Sequence, residues 1–491
     1  MPAESSPSGS RVDVLLTHSY HLAHDAKQWR KMQPYPPLGT LYAATALRNS
    51  GIPVAIFDST FDDPIPNFID TLDRYRPRVL VIYEDDFNFV TKMCLTHMRE
   101  LACELATISA SRGITVIAHG SDATDHPVSY LDRGVDFILN GEAEQTLVEL
   151  CNSLLQGSGL KALPGLVRYI DGELITASPA PHNPSWADLP IVARELIDME
   201  PYRTAWTAAH GHFSTNVVAS RGCPFRCNWC AKPISGSRFR LRQPEAVAAE
   251  LHQLKTLFGV EHIWFGDDVF ALDHRWVEAF ATAVEAYGDP LPFKIQSRAD
   301  LLSESTVEAL KRAGCAEVWM GIESGSQKIL DAMSKGLSLA AVHDARRRLA
   351  DANIRACFFL QFGYPGEGWP EILETIALVR KTRPDDIGVS VSYPLPGTVF
   401  YERVQQQLGL KRNWNDSDDL CTIHTAAYRD DFYRALRQAL HAEVANIDAQ
   451  TLDSLWSTVH ELEPVSRNAN VLTLKQSTFM SLEEVFAERS A

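Results

Sequence analysis

The chain has 491 residues, of which 45% are hydrophobic, and 62 Asp and Glu outweigh 46 Lys and Arg to give a formal charge of −16. That length exceeds what one core supports and predicts two or three domains. The acidic balance argues against nucleic acid or anionic lipid as partners, since both call for Lys and Arg patches. Residues 1–11 are small and polar without an apolar signal region, and no run of about 18 apolar residues is present to span a bilayer, so the expectation is a cytoplasmic protein.

In chain order, short β-branched runs at 12–16, 54–57, 79–83, 115–118 and 137–139 alternate with helical patterns at 38–49, 68–75 and 94–108. Continuous apolar strands between amphipathic helices predict an α/β, doubly wound parallel sheet over residues 1–155. Ligands of such sheets sit beyond the carboxyl ends of the strands, which singles out the loops after Leu16, Tyr83, Ala118 and Leu139. Over 156–211 the periodicity breaks and Pro recurs (164, 179, 181, 184, 190, 201), which predicts an inter-domain connection. From 212 to 408 strands near 217–220, 262–265, 293–296, 317–321, 356–361 and 387–392 alternate with helices at 245–257, 275–286, 306–313, 339–352 and 370–382. Six βα units predict a partial (β/α)6 barrel with its chemistry at the C-terminal ends of the strands. The remainder, 409–491, is mainly helical, most clearly at 432–446.

Six of the nine cysteines (Cys94, Cys103, Cys151, Cys315, Cys357, Cys421) are scattered, as reduced, buried thiols would be. The other three fall together in Arg221-Gly222-Cys223-Pro224-Phe225-Arg226-Cys227-Asn228-Trp229-Cys230, directly after the first barrel strand. Cys223, Cys227 and Cys230 can hold three irons of a [4Fe–4S] cubane and leave the fourth open for a ligand, with Trp229 as a shield from water. The alternatives are buried free thiols or zinc, which asks for four tetrahedral ligands, and no paired Cys or His follows at finger-like spacing.

This Cys-x3-Cys-x-aromatic-Cys signature on a six-unit βα series resembles the radical S-adenosylmethionine (SAM) superfamily. The resemblance implies that the open iron chelates SAM and that one electron cleaves it to a 5′-deoxyadenosyl radical. It places SAM against Gly266, Asp267 and Asp268 after the second strand, Gln296 and Arg298 after the third, Glu323 and Ser324 after the fourth, and Gly363 and Pro365 after the fifth. Local readings stand beside these: Asp267 and Asp268 as helix N-caps, Arg298 as a salt-bridge partner, and the Gly-Pro segment as a tight turn.

Before the barrel, Tyr35-Pro36-Pro37-Leu38-Gly39-Thr40, Gly134-Val135-Asp136-Phe137 and residues 140–147 resemble the cobalamin-binding domain of the class that contains anaerobic Mg-protoporphyrin ester cyclase and B12-dependent radical methyltransferases. The resemblance covers residues 12–408 and implies cobalamin contacts at Leu38, Gly39, Tyr83, Glu84, Ser121, Thr124, Gly141 and Glu142. Thr17-His18-Ser19-Tyr20-His21 stands where B12 proteins with a histidine cobalt ligand carry Asp-x-His-x-x-Gly, so no lower ligand is named among His18, His21 and His126. The expectation is methyl transfer from SAM, by way of cobalamin, to an unactivated carbon of a small molecule. A flavodoxin- or ferredoxin-type protein would supply electrons. Cobalamin-assisted oxidation, hydration or rearrangement is the alternative within the class, and a non-catalytic corrinoid-binding or redox-sensing protein is the alternative outside it. No residue names the catalytic groups or the substrate.

Overall fold

The computed structural model describes residues 11–87, 93, 95–159, 163–178, 191–288 and 290–468. Cys94, Pro179, Pro181, Pro184, Pro190 and the last part of the helical tail lie outside the described residues.

The first sheet runs β2-β1-β3-β4-β5-β6-β7. Its five parallel strands are β1 (Val14–Thr17), β2 (Val54–Phe57), β3 (Val79–Tyr83), β4 (Thr115–His119) and β5 (Phe137–Leu139). Alternate residues feed two apolar layers, as a doubly wound sheet requires. Leu15, Leu80, Ile82 and Val116 pack with Phe68, Leu72 and Leu105 on one face. Val14, Leu16, Val79 and Val81 pack with Ala43, Leu47, Leu147 and Leu150 on the other. The order 2-1-3-4-5 puts the switch point between β1 and β3. The loops after Thr17 and Tyr83 therefore meet there.

The stretch 156–211, expected as a connection, contributes structure of its own. The hairpin β6 (Leu166–Ile170) and β7 (Glu173–Thr176) adds antiparallel to β5, and a helix, Glu200–His210, follows. The hairpin escaped the periodicity because every residue of β7 is exposed, which leaves no apolar alternation to read.

The second sheet holds six parallel strands in the order β15-β14-β13-β12-β11-β8: β8 (Ser214–Val217), β11 (His262–Phe265), β12 (Phe293–Ser297), β13 (Cys315–Glu323), β14 (Arg355–Phe362) and β15 (Asp386–Val391). The first and last strands are not paired, so the barrel is open. Ile263, Phe265, Phe293, Ile295, Val318, Met320, Phe358 and Leu360 point to the covering helices and form the large core. Their neighbours Trp264, Lys294, Gln296, Trp319 and Phe359 point to the opposite, concave face. A short antiparallel pair, β9 (Ser220–Arg221) with β10 (Arg240–Leu241), follows the first barrel strand. Two helices, Asp430–Val444 and Ala449–Val465, close the far edge.

Candidate active site

The cysteine loop is the excursion between β9 and β10. Gly222 turns into it at φ +80°, and a Cβ there would stand 2.3 Å from the Arg238 carbonyl oxygen, so no other residue fits. Cys223, Cys227 and Cys230 are half-buried and free of disulfides. Among the described residues no three His, Cys, Asp or Glu side chains surround a single ion. Three thiols strung along one loop suit a cluster, in which each thiolate takes its own iron. Burial, with Asp268 adding to it, pushes the Cys230 thiol up to about 12, and burial raises Cys223 likewise. A metal bound there would take the thiols as thiolates and so displace their protons.

The loop is pinned from several sides. Lys232 Nζ donates to the carbonyls of Cys223 (2.7 Å) and Phe225 (2.6 Å). Asn228, between the second and third cysteines, donates to Ala332 O (2.7 Å) and accepts from Tyr364 Oη (2.8 Å), while its carbonyl accepts from Phe400 N. Trp229 packs on the cluster of Ile329, Met333, Tyr364 and Phe400. Sequence reasoning missed Lys232, Asn228 and Tyr364 as anchors, although Asn228 stood inside the motif.

The residues expected around SAM do converge on the C-terminal ends of the barrel strands, with divided roles. Asp267 is 1% exposed and turns back to Ala219 N and Ser220 Oγ, so it braces the strand leading to the cysteines. Burial lifts its carboxyl to about 7. Neither Asp267 nor Asp268 caps the next helix; Asp273 does so, accepting from Arg275 N and Trp276 N. Asp268 is exposed on the loop and Gln296 is half-buried on the concave face. Arg298 follows its local reading: it forks onto Asp300 (3.0 Å twice), donates to Lys335 O and Gly336 O, and lies 3.8 Å over the Phe225 ring.

Glu323 holds the left-handed conformation (φ +66°) and forms a buried ion pair with Lys335 (2.8 Å). Such strain in a non-glycine residue marks functional loops. Burial alone would depress the Lys335 ammonium, but Glu323 and Cys227 carry it above its ordinary value. Ser324 bonds Thr375 Oγ1. Gly363 (φ +77°) is clamped, its N–H donating to Glu367 and its carbonyl accepting from His424 Nε2, and Pro365 is exposed beside it. Lys335 and His424 carried no sequence signal.

On the N-terminal side the switch point is polar and buried. Ser19 N donates to Glu84 (3.1 Å), and Gly39 N to Asp85 (3.1 Å). Gly39 is a packing position: a Cβ would meet Glu84 O at 2.8 Å. Leu38 is buried with Leu41, Tyr42, Phe87 and Val218, and Tyr83 stacks on His119 at 3.9 Å. Ser121 is buried at the head of a short helix, and Thr124 bonds Gly120 O. His18 is held by Asp58 (3.0 Å), His21 by Ser59 O, and His119 by the carbonyl of Gly141 (3.0 Å). Glu142 is committed to Arg240, and Glu144 to Arg221 (2.5 Å). These two pairs clamp β9 and β10, and with them the cysteine loop, to the first sheet. Phe87 completes the contact: it stacks under Arg221 (4.9 Å) and stands 3.5 Å from where a Cβ of Gly266 would be. The loop after β3 thus abuts the loop after β11.

Residues 217–379, strands β11 to β14 together with the cysteine loop, match the radical SAM superfamily. The chain carries a radical SAM domain. The chain is also 28% identical over 385 residues to an uncharacterized methyltransferase of Pyrococcus horikoshii, covering 77% of this chain and 81% of that one. It is 25% identical over 327 residues to the anaerobic magnesium-protoporphyrin IX monomethyl ester cyclase of Synechocystis, covering 65% and 63%. Its fold is shared with the radical SAM methyltransferase TsrM of Kitasatospora setae, solved with cobalamin and a [4Fe–4S] cluster bound (TM-score 0.66, 19% identity, 81% of this chain and 75% of that one).

Proposed function

We propose that this radical SAM protein is a cobalamin-dependent enzyme that transfers a methyl group to an unactivated carbon of a small molecule. The reading rests on one observation: the loop after β3, at the switch point of the first sheet, packs through Phe87 on Gly266 beside the cysteine loop. A cofactor at each site would then face the same space. When bound, cluster and SAM supply a 5′-deoxyadenosyl radical on one-electron reduction, and cobalamin carries the methyl group. Cys223, Cys227 and Cys230 would hold the cluster, with Lys232 and Asn228 fixing the loop. Gly266, Asp268, Gln296, Glu323, Ser324, Gly363 and Pro365 would border SAM, and Arg298 and Lys335, paired with Asp300 and Glu323, would brace those loops. Glu84, Ser121, Thr124 and Gly141 would border cobalamin, and Glu142 would act by holding β10. The electron donor is of flavodoxin or ferredoxin type. No helix of the described residues is long and apolar enough to cross a membrane.

The test is anaerobic reconstitution with iron, sulfide and cobalamin, followed by SAM and dithionite. 5′-Deoxyadenosine should form, and when a small-molecule substrate is supplied, label from methyl-labelled SAM should reach its product. Absence of 5′-deoxyadenosine overturns the reading. Similarity to the magnesium-protoporphyrin ester cyclase supports a second reading, cobalamin-assisted oxidation or hydration, for which the product carries no label.

A further inference from the structure

Away from the radical site, the helix Asp430–Val444 turns Phe432, Tyr433, Leu436, Ala439 and Leu440 into the core. Its opposite stripe, Arg434, Arg437, Gln438 and His441, follows the i, i+3, i+4, i+7 spacing of one helix face. That stripe lines a cavity of about 460 Å³ completed by Arg30, Asp418 and Leu420. The volume is that of a small-molecule pocket.

Its charge is unbalanced. Asp418 is shared between Arg30 (2.6 Å) and Arg437 (2.9 Å), and Arg434 stands 4.0 Å from Asp419, outside hydrogen-bond reach. Three guanidiniums thus line the cavity against one lining carboxylate, Asp418, with Asp419 beside it as the loose ion-pair partner of Arg434. Lys27 is brought down to about 8, chiefly by burial and then by Lys31 and Arg437, and Lys31 is lowered by burial despite Asp386, with Lys294 and Arg437 adding to it. Burial, followed by Arg437, takes His441 down to about 4, so its imidazole is neutral at physiological pH. A concentration of cations of this kind in a chain of charge −16 is a local feature rather than a reflection of composition. It is also too small to follow a polyanion.

We propose that this cavity binds the carboxylate or phosphate group of a small molecule. Planar guanidiniums converging from two elements suit bidentate capture of either anion. The site is separate from the cluster and SAM loops: none of its lining residues belongs to them, and Tyr433, which adjoins Gly363, lies on the buried face of the helix, opposite the arginine stripe. The radical reading does not depend on it.

Isothermal titration of the full-length, reconstituted protein with inorganic phosphate and with succinate, against chloride at constant ionic strength, tests the proposal. Saturable binding of at least one anion is expected, and Arg434→Gln and Arg437→Gln should each weaken it about tenfold. Arg347→Gln, at an exposed arginine on another helix, should leave it unchanged. Phosphate binding alone assigns a phosphate ester, and succinate binding alone assigns a carboxylate. No saturable binding, or equal binding by folded Arg434 and Arg437 variants, overturns the proposal. Circular dichroism of each variant checks the fold.

Discussion

The cysteine loop and the switch point of the first sheet meet across one interface, yet they hold their chemistry differently. The loop keeps three half-buried thiols free of disulfides and spends its other polar groups, Lys232 and Asn228, on fixing its own backbone. At the switch point several polar groups answer another protein group: Ser19 to Glu84, Gly39 to Asp85, His18 to Asp58, His119 to Gly141. The contrast follows from what each site would bind. A cluster needs a few strong covalent ligands and a rigid frame, whereas a large organic cofactor can be held by shape and many weak contacts.

The sharpest way to break this contrast is to remove a ligand. Replacing Cys223, Cys227 or Cys230 by Ala should abolish cubane absorbance and 5′-deoxyadenosine formation, while cobalamin binding, measured by its visible spectrum, should persist. Loss of both cofactors together would show that the two sites are not separable. Gly222→Ala should have nearly the same effect without touching a thiol, because its Cβ would collide with the Arg238 carbonyl at a left-handed φ. Iron content per chain is the measurement.

The cluster loop was legible because it is local: three thiols in eight positions need no knowledge of the fold. Strands β2, β3 and β11 were equally legible as continuous apolar runs, and helix Leu38–Asn49 by its start after Pro36-Pro37 and its end at Ser50-Gly51. What could not be read are partnerships across the chain. Glu142 looked like a ligand contact after β5, but it and its neighbour Glu144 meet Arg240 and Arg221, which stand 98 and 77 residues away in sequence. Likewise nothing near Lys335 announced that it would neutralise Glu323 beside the cysteines.

That pair gives the next largest effect. Both partners are 7% exposed, so Glu323→Ala would strand a buried ammonium and should cost roughly 3–5 kcal/mol, read from denaturant unfolding of the apoprotein. The double variant Glu323→Gln, Lys335→Met removes the charge problem and should recover most of the loss. If the single variant costs under about 1 kcal/mol, the pair behaves as a surface bridge and does not frame the site.

The smallest effect belongs to the switch point, and it is a dependence on pH. Burial raises the Glu84 carboxyl from its usual 4.5 to about 7, against the pull of His18 and the Ser19 N–H, with Asp122 raising it further. An acid whose folded pKa is raised binds its proton more tightly when folded. Its stabilising contribution is therefore complete below pH 4.5 and is lost as pH climbs through about 7. Asp58, Asp85 and His18 lie in the same field, so the observable is a difference: wild type minus Glu84→Gln, whose amide oxygen still accepts from Ser19. That difference should fall by about 1–3 kcal/mol between pH 4.5 and 7.5 and then level off. A flat difference would mean that Glu84 stays ionised in the fold. The switch point would then carry a fixed negative charge toward its cofactor, and its contrast with the cation-framed cluster loop would be one of sign as well as of construction.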